Sequence, residues 1–188
     1  MSHSKAAGRY AKSLYQIAVS EGRQEQVLKD MQQYREALYS NRDLKAVMIS
    51  PVIASSKKKS IIDAIFRPHF QQVTALFFDL VIRKGREKDL GDIADAFIQE
   101  DKRVKGIKDG KLISATSLSP ELRQELQMRA EKLAGCKVLL EEKTDPSILG
   151  GFILSVGDLQ LDESIKSKLA RLHHNLVDTS YIPKIDLI

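Results

Sequence analysis

The residues of this sequence that could do chemistry are few, and they do not occur in the arrangements that catalysis requires. An enzyme site combines a nucleophile with a base, a set of metal ligands or a phosphate-binding loop. The sequence has no GxGxxG segment, Walker-type loop, HExxH or CxxC. It therefore predicts no catalytic, cofactor-binding or metal-binding residues and a protein that is not an enzyme. An enzyme with a dispersed site is kept as one alternative.

The residues that come nearest to a site each have a structural interpretation. His173 and His174 are adjacent, so on a helix they point about 100° apart and cannot share a metal ion. Cys136, the single cysteine, follows a glycine and has no histidine nearby in the sequence, which is typical of a half-buried structural thiol. Gly150-Gly151 lacks the lysine of a phosphate loop and predicts a turn into a strand at Phe152.

Positive charge is concentrated in the first part of the chain. Residues 1–105 carry 19 Lys+Arg against 13 Asp+Glu, whereas residues 106–188 carry 11 against 12. The run Lys57-Lys58-Lys59 is interpreted as solvated surface, with a binding face for acidic partners as the second interpretation. The chain has no Trp, and this stretch has no aromatic residue before Phe66. The excess positive charge of residues 1–105 nevertheless leaves a basic helical nucleic-acid-binding module as the alternative function. A steep salt dependence of binding would identify it.

The elements that must position any site begin with a series of helices in residues 1–105. Gly22 and Gly85 are expected to end helices, Ser50-Pro51 to end a short one, and Ser56 to cap the helix that follows. Apolar residues recur at three- and four-residue intervals in six segments: Ala7, Tyr10, Ala11, Leu14, Ile17 and Ala18; Val27, Met31, Tyr34 and Leu38; Leu44–Ile49; Ile61, Ile62, Ile65 and Phe66; Val73, Leu76, Phe77, Leu80 and Val81; Ile93, Ala94, Phe97 and Ile98. About six helices with short loops predict a six-helix bundle.

The fifth helix is apolar nearly all round, because Phe78 and Ile82 add apolar side chains off its main face. Such a helix is either buried centrally or offers a second face to a partner. Its apolar stretch, Val73–Ile82, falls well short of the roughly 20 residues that span a bilayer. The first residues contain no apolar core of a signal peptide, so a cytoplasmic address is expected.

Residues 106–188 have a different pattern, which predicts a small α/β domain with a β-hairpin. A charged linker or turn is expected at 105–110, a strand at Leu112–Ser117, and a helix capped by Ser119 that ends at Gly135. A second strand follows at Val138–Glu142. Gly157-Asp158 predicts the two-residue turn of a hairpin between Phe152–Val156 and Leu159–Leu161. Asp162 or Ser164 is expected to cap a final amphipathic helix with Ile165, Leu169, Leu172 and Leu176. The tail at 179–188 is unusually apolar.

The segment from Asp145 to Leu172 resembles the C-terminal part of the delta subunits of F-type ATP synthases, called OSCP in mitochondria. The matching elements are Leu149-Gly150-Gly151-Phe152, Val156-Gly157-Asp158, Asp162, Ser164, and a helix with Leu169 and Leu172. Ser155 departs from the family pattern. Gly8–Leu14, Gly85-Arg86 and Ser114-Ala115-Thr116 are similar to further parts of the same family.

The resemblance implies a structural subunit of the peripheral stalk, or stator, during proton-driven ATP synthesis. Residues 1–105 would bind N-terminal helices of alpha subunits on the catalytic head, and residues 106–188 would bind b-type stalk subunits. The complex would lie at the cytoplasmic face of the inner (plasma) membrane, with no membrane insertion by this chain. The candidate alpha-binding residues are Tyr10, Ala11, Leu14, Leu76, Phe77 and Leu80, for which the bundle core is the other interpretation. Gly150, Gly151, Phe152, Gly157, Asp158, Asp162 and Ser164 are expected to shape the hairpin.

Overall fold

The computed structural model describes residues 5–177, and the chain divides into two compact units at the Lys105–Gly106 bond. We call residues 1–105 the helical unit and residues 106–188 the mixed unit. The described part contains eight α-helices and one four-stranded mixed sheet. The prediction of a mainly α chain with a small α/β unit is thereby confirmed. The apolar tail at 179–188 lies outside the described residues.

The helical unit contains six α-helices joined by short connections. They are α1 (Lys5–Ser20), α2 (Gln24–Ser40), α3 (Arg42–Ile49), α4 (Ser55–Ile65), α5 (Gln72–Arg83) and α6 (Leu90–Val104), with a single 3₁₀ turn at Glu87–Asp89 before α6. Gly22 and Gly85 both have φ near +65°, a conformation that glycine adopts without steric cost. These two glycines therefore follow α1 and α5 as predicted.

The capping residues of the helical unit differ in part from expectation. Ser56 does not cap α4, because that helix already begins at Ser55 and its N-cap is Ala54, whose side chain has no acceptor. The cap that sequence reasoning missed is Asn41, whose side chain accepts hydrogen bonds from the backbone N–H groups of Asp43 and Leu44.

The core of the helical unit is continuous and rich in aromatic rings. Tyr34 packs edge-on against Phe66 and Phe78, with ring centroids 5.2 and 4.9 Å away. Phe70 stacks on Phe66 at 5.3 Å. Such pairs stabilise a core by about 0.5–1.5 kcal/mol each beyond the burial of their area. They join α2, α4 and α5 into one packed body.

The mixed unit follows the predicted order of strand, helix, strand, hairpin and helix. Its elements are β1 (Ile107–Ser114), α7 (Pro120–Ala134), β2 (Lys137–Thr144), β3 (Phe152–Val156), β4 (Leu159–Asp162) and α8 (Ile165–Val177). The sheet order is β2-β1-β3-β4, with β1 parallel to β2 and the remaining pairs antiparallel. A right-handed crossover through a helix is the usual connection for a parallel pair, and α7 connects β1 to β2.

Strand β1 begins five residues earlier than predicted and ends three residues earlier. The expected linker at 105–110 is wrong, because Ile107–Gly110 already pair with β2. Gly110 sits under the side chains of Val138 and Leu140, which a Cβ would approach to 2.8 Å. This glycine therefore permits close packing on the sheet and does not mark a turn.

The helix and hairpin signals of the mixed unit are confirmed. Ser119 accepts a hydrogen bond from the N–H of Leu122, and Gly135 ends α7 in the left-handed conformation. Gly157, with φ +58°, lies in the two-residue turn that joins Val156 to Leu159. Ser164 caps α8 by accepting from the N–H of Ser167.

Candidate docking surfaces

Helix α5 presents apolar side chains on two sides. Phe77, Phe78 and Val81 are buried in the core of the helical unit, together with Ile82. Leu76 and Leu80 lie one turn apart on the opposite side and are 60% and 47% exposed. Leaving two leucines in water gives up about 1.5–3 kcal/mol each relative to burying them. This arrangement is typical of a helix that has a second, external partner.

Helix α1 lies beside α5 and contributes one half-buried aromatic ring to the same area. The ring of Tyr10 meets the ring of Phe77 edge-on, with centroids 6.4 Å apart. Ala11 and Leu14 are fully buried. Of the six candidate residues, Ala11, Leu14 and Phe77 therefore belong to the core, whereas Tyr10, Leu76 and Leu80 reach the surface. We call these last three residues the α1/α5 surface.

Polar contacts from Asp30 and Lys59 help to fix the position of α5. Asp30 on α2 accepts a hydrogen bond from the hydroxyl of Thr74 at 2.6 Å and one from the N–H of Gln71 at 2.9 Å. Burial raises the pKa of Asp30, and these two hydrogen bonds only partly oppose that effect. Asp79 on α5 forms an ion pair with Lys59 on α4. The orientation of Leu76 and Leu80 therefore depends on α2 and α4 as well as on the core.

The lysine run is not a solvated surface as a whole. Lys58 is 2% exposed; its ammonium donates to the carbonyl of Met48 at 3.1 Å and to Glu87 Oε1 at 3.0 Å. Burial alone would raise the pKa of Glu87, but hydrogen bonds from its own N–H, from Lys58 and from Ser55 outweigh it and lower the pKa. The solvated interpretation of Lys58 is therefore wrong, because a carboxylate 29 residues away neutralises it.

The Gly150-Gly151 pair of the mixed unit allows close contact between backbone segments. Gly151 has φ +75°, and a Cβ there would overlap the carbonyl oxygen of Glu163. At Gly150 a Cβ would come within 2.5 Å of the Ile165 side chain. The N–H of Ile165 also donates to the carbonyl of Gly150 at 3.0 Å. The start of α8 therefore packs directly against the backbone of these two glycines. Phe152, the first residue of β3, follows them and is half-buried.

Polar side chains then fix the start of α8. Asp162 accepts from the N–H of Ser164 at 2.9 Å and from the hydroxyl of Ser167 at 2.7 Å. The hydrogen bonds from Ser167 and then Ser164 lower the pKa of Asp162. Both predicted capping residues contribute, with Ser164 at the N-cap and Asp162 bracing it. Asp158 lies in the hairpin turn and is exposed.

Helix α8 carries an apolar stripe that is about half exposed or more in the described part of the mixed unit. Its members, which we call the α8 stripe, are Ile165, Leu169, Leu172 and Leu176, and their exposed fractions run from 46% to 75%. Their spacing of four, three and four residues is that of the a and d positions of a coiled coil. The spacing alone predicts an apolar face, whereas its exposure becomes known only from the structure.

The described residues hold no arrangement that suggests chemistry. Within residues 5–177, no group of three or more His, Cys, Asp or Glu side chains could hold a metal ion. Cys136 is half-buried, and His173 and His174 are exposed on α8. Over the same residues, no helix is long and apolar enough to cross a membrane. The candidate functional features of the described residues are the α1/α5 surface and the α8 stripe.

Comparisons with known proteins agree on one family over nearly the whole chain. The model of the family "ATP synthase delta (OSCP) subunit" matches residues 6–176. The ATP synthase subunit delta of Brevibacillus brevis is 36% identical, over 88% of this chain and 95% of that protein. The subunit of the same name from Christiangramia forsetii is 32% identical, over 98% of this chain and all of that protein.

Among solved structures, a chain of the Toxoplasma gondii mitochondrial ATP synthase hexamer has the same fold. The TM-score is 0.68 at 22% sequence identity, covering 91% of this chain and 97% of that chain.

Proposed function

The chain belongs to the ATP synthase delta (OSCP) family. We propose that it links the catalytic head to the b-type stalk subunits, with one of its two units binding each of them. It is a structural, non-catalytic subunit of the F-type ATP synthase and a component of the peripheral stalk. The resemblance read from the sequence is thus confirmed. The observation that carries the proposal is that each unit has an exposed apolar face on a helix.

The helical unit is the end that binds the catalytic head. Its six helices act as one bundle, and the α1/α5 surface receives an N-terminal helix of an alpha subunit. Leu76 and Leu80 are one turn apart, and the Tyr10 ring contacts the same helix at Phe77. We propose that a partner helix with apolar residues at i, i+3 or i+4, and i+7 covers all three residues of the α1/α5 surface. The buried residues Ala11, Leu14 and Phe77 support this surface from below.

The mixed unit is the end that binds b-type stalk subunits. The α8 stripe has the heptad spacing that packs against a second helix, and stalk subunits with a helical end would supply one. Ser164 and Asp162 fix the first turn of α8, and Gly150 and Gly151 hold it against the sheet. The proposed location is the cytoplasmic face of the inner (plasma) membrane, as a peripheral part of the complex.

The test separates the two ends with paired variants of the full chain. We expect Leu76→Asp with Leu80→Asp to abolish capture of an alpha-subunit N-terminal peptide while capture of the b-type stalk subunit is unchanged. Leu169→Asp with Leu172→Asp should give the opposite pattern. Because all four side chains are exposed, the free energy of unfolding should change by no more than about 0.5 kcal/mol. If either pair abolished both interactions, or neither, the two-ended assignment would be wrong.

The nucleic-acid alternative has no support among the relatives, and the structure weakens its premise. Lys58 lies in a buried ion pair and Lys59 is paired with Asp79, so the lysine run does not present three free ammonium groups. A phosphate-binding face needs such groups on one side.

A further inference from the structure

Two segments that are far apart in the sequence meet in one surface depression. It has a volume of about 320 Å³ and is lined by Ala6, Arg9, Tyr10 and Ser13 of α1 and by Arg86, which follows α5. Gly8-Arg9-Tyr10 and Gly85-Arg86 are both segments that carry the family resemblance. Tyr10 belongs to the α1/α5 surface and Leu14 to the core, whereas Arg9 and Arg86 belong to neither.

The two arginines are placed for an external anion. Arg9 is exposed on α1. The side chain of Arg86 is 44% exposed, its guanidinium lies over the Tyr10 ring at 5.9 Å from the centroid, and its nearest carboxylate, Asp89, is 3.7 Å away. At that separation Asp89 does not form a close bidentate pair with the guanidinium. Arg86 therefore has a half-exposed guanidinium that lines the depression and is not held in a close bidentate pair.

We propose that this depression binds a carboxylate of the docked partner helix. The inference rests on the proposed function and adds the chemistry of the partner's side chain. Guanidinium groups bind carboxylates through paired N–H donors, and two of them around one depression favour an acidic residue over a neutral one. The hydroxyl of Ser13 already donates to the carbonyl of Arg9 at 3.0 Å, so the two arginines are left as the donors to a carboxylate in this depression.

Tyr10 belongs both to the basic depression and to the α1/α5 surface. Its ring meets the Phe77 ring of α5 edge-on, and the Arg86 guanidinium lies over its face. A partner helix that contacts Tyr10 therefore also lies close to Arg86. The partner segment that fits is an amphipathic helix whose Asp or Glu lies within about a turn of its apolar stripe.

The experiment measures the affinity of the full chain for a synthetic peptide of the cognate alpha-subunit N-terminus. We expect Arg9→Glu and Arg86→Glu each to weaken binding about tenfold. Arg86→Lys keeps the charge but loses the paired donors, so its loss should be smaller. Lys57→Glu makes the same charge change on an exposed residue outside the depression and should leave affinity within about twofold. Replacing the peptide's acidic residue by Lys should weaken binding to the natural chain and restore binding to the Arg86→Glu variant.

The outcomes separate this proposal from the one on which it rests. If the Leu76/Leu80 variant loses the peptide while Arg9→Glu and Arg86→Glu bind it like the natural chain, the α1/α5 surface remains the binding site. The carboxylate subsite is then overturned. A peptide without any acidic residue that still binds tightly would overturn the subsite too. If the natural chain does not bind the peptide at all, the proposed function itself fails. Circular dichroism of each variant checks that α1 and α5 remain folded.

Discussion

Among residues 5–177, the main core of the helical unit contains twenty-two buried residues from all six helices, whereas that of the mixed unit contains six. The lengths of the two units, residues 1–105 and 106–188, differ far less than the sizes of their cores. The helical unit fills its interior with large side chains and inserts a buried ion pair, Lys58–Glu87, at the edge. The mixed unit depends more on its strand ladders and on the backbone contact at Gly151.

This difference indicates two ways of supporting a docking helix. In the helical unit, α5 is anchored by the core on one side and presents Leu76 and Leu80 on the other. In the mixed unit, none of residues 165–176 of α8 is buried in the core, and the helix is fixed mainly at its first turn. The first surface is therefore expected to exist before binding, and α8 to gain stability from its partner. Three substitutions test whether the two units are maintained in these different ways.

Gly151→Ala is expected to have the largest effect and to act on the mixed unit alone. The new Cβ would overlap the carbonyl oxygen of Glu163, and φ +75° is unfavourable for alanine. Together these should cost about 3 kcal/mol or more. Amide hydrogen exchange, followed separately for residues 5–104 and 107–177, should show protection lost in the second range only.

Gly157→Ala is the matched control for that prediction. Its φ of +58° is similar, but a Cβ there meets nothing within 4 Å. It should cost only about 1–2 kcal/mol. Equal effects of the two substitutions would contradict the role assigned to the backbone contact at Gly151.

Lys58→Met should come next and should act on the helical unit alone. It leaves the Glu87 carboxylate buried without its cation, which typically costs about 3 kcal/mol or more. Denaturant unfolding of the chain provides the measurement. Lys57→Met, on the exposed neighbour, should change the free energy of unfolding by no more than about 0.5 kcal/mol.

The effect of Lys58→Met should also depend on pH in a defined direction. In the natural chain the folded-state pKa of Glu87 is below its ordinary value of 4.5, so its contribution to stability is present above pH 4.5 and is lost as the pH falls through the folded-state pKa. Without Lys58 the carboxylate loses a hydrogen bond and a nearby cation, so burial counts for more and the folded-state pKa of Glu87 is higher than in the natural chain. The stability difference between the two chains should therefore shrink as the pH falls from that higher folded-state pKa to the lowered folded-state pKa of the natural chain. A constant difference would exclude Glu87 as its origin.

Tyr34→Phe should have the smallest effect. Tyr34 is fully buried among aromatic rings, and within the described residues its hydroxyl has no hydrogen-bond partner. Removing it should leave stability unchanged or raise it by up to about 1 kcal/mol. Tyr39→Phe, which removes a hydroxyl that donates to Asp95 at 3.0 Å, should lose up to about 1 kcal/mol. A loss at Tyr34 larger than that at Tyr39 would show that the ring packing is not the main contribution of Tyr34.

Local signals in the sequence predicted much of the fold. Ser119-Pro120, Gly135 and Gly157 act through neighbours a few residues away, so their types and order suffice to place a cap, a helix end and a hairpin. The same holds for the heptad spacing of the α8 stripe. The family resemblance was carried by such local segments too.

Apart from the cap expected at Ser56, which is a local error of one or two residues, the wrong predictions concern residues whose neighbours lie far along the chain. The sequence around Gly110 predicts a linker, but Val138 and Leu140 require a glycine at that point of β1. The lysine run predicts a solvated Lys58, but Glu87 and the Met48 carbonyl bind it. Which of Leu14, Leu76 and Phe77 faces outward depends on how α1 and α5 pack, and the shared three- and four-residue spacing cannot distinguish them.

The position of β1 determines how tension would pass through the mixed unit. Only Lys105 and Gly106 separate the end of α6 from the start of β1, and β1 pairs with β2 over eight residues and with β3 over five. A pull from the helical unit along this strand loads the hydrogen bonds of both ladders in shear. Bonds loaded in that direction share the force and do not open one after another. We therefore expect a pull along this central strand to be resisted by the two ladders together more than by the small core.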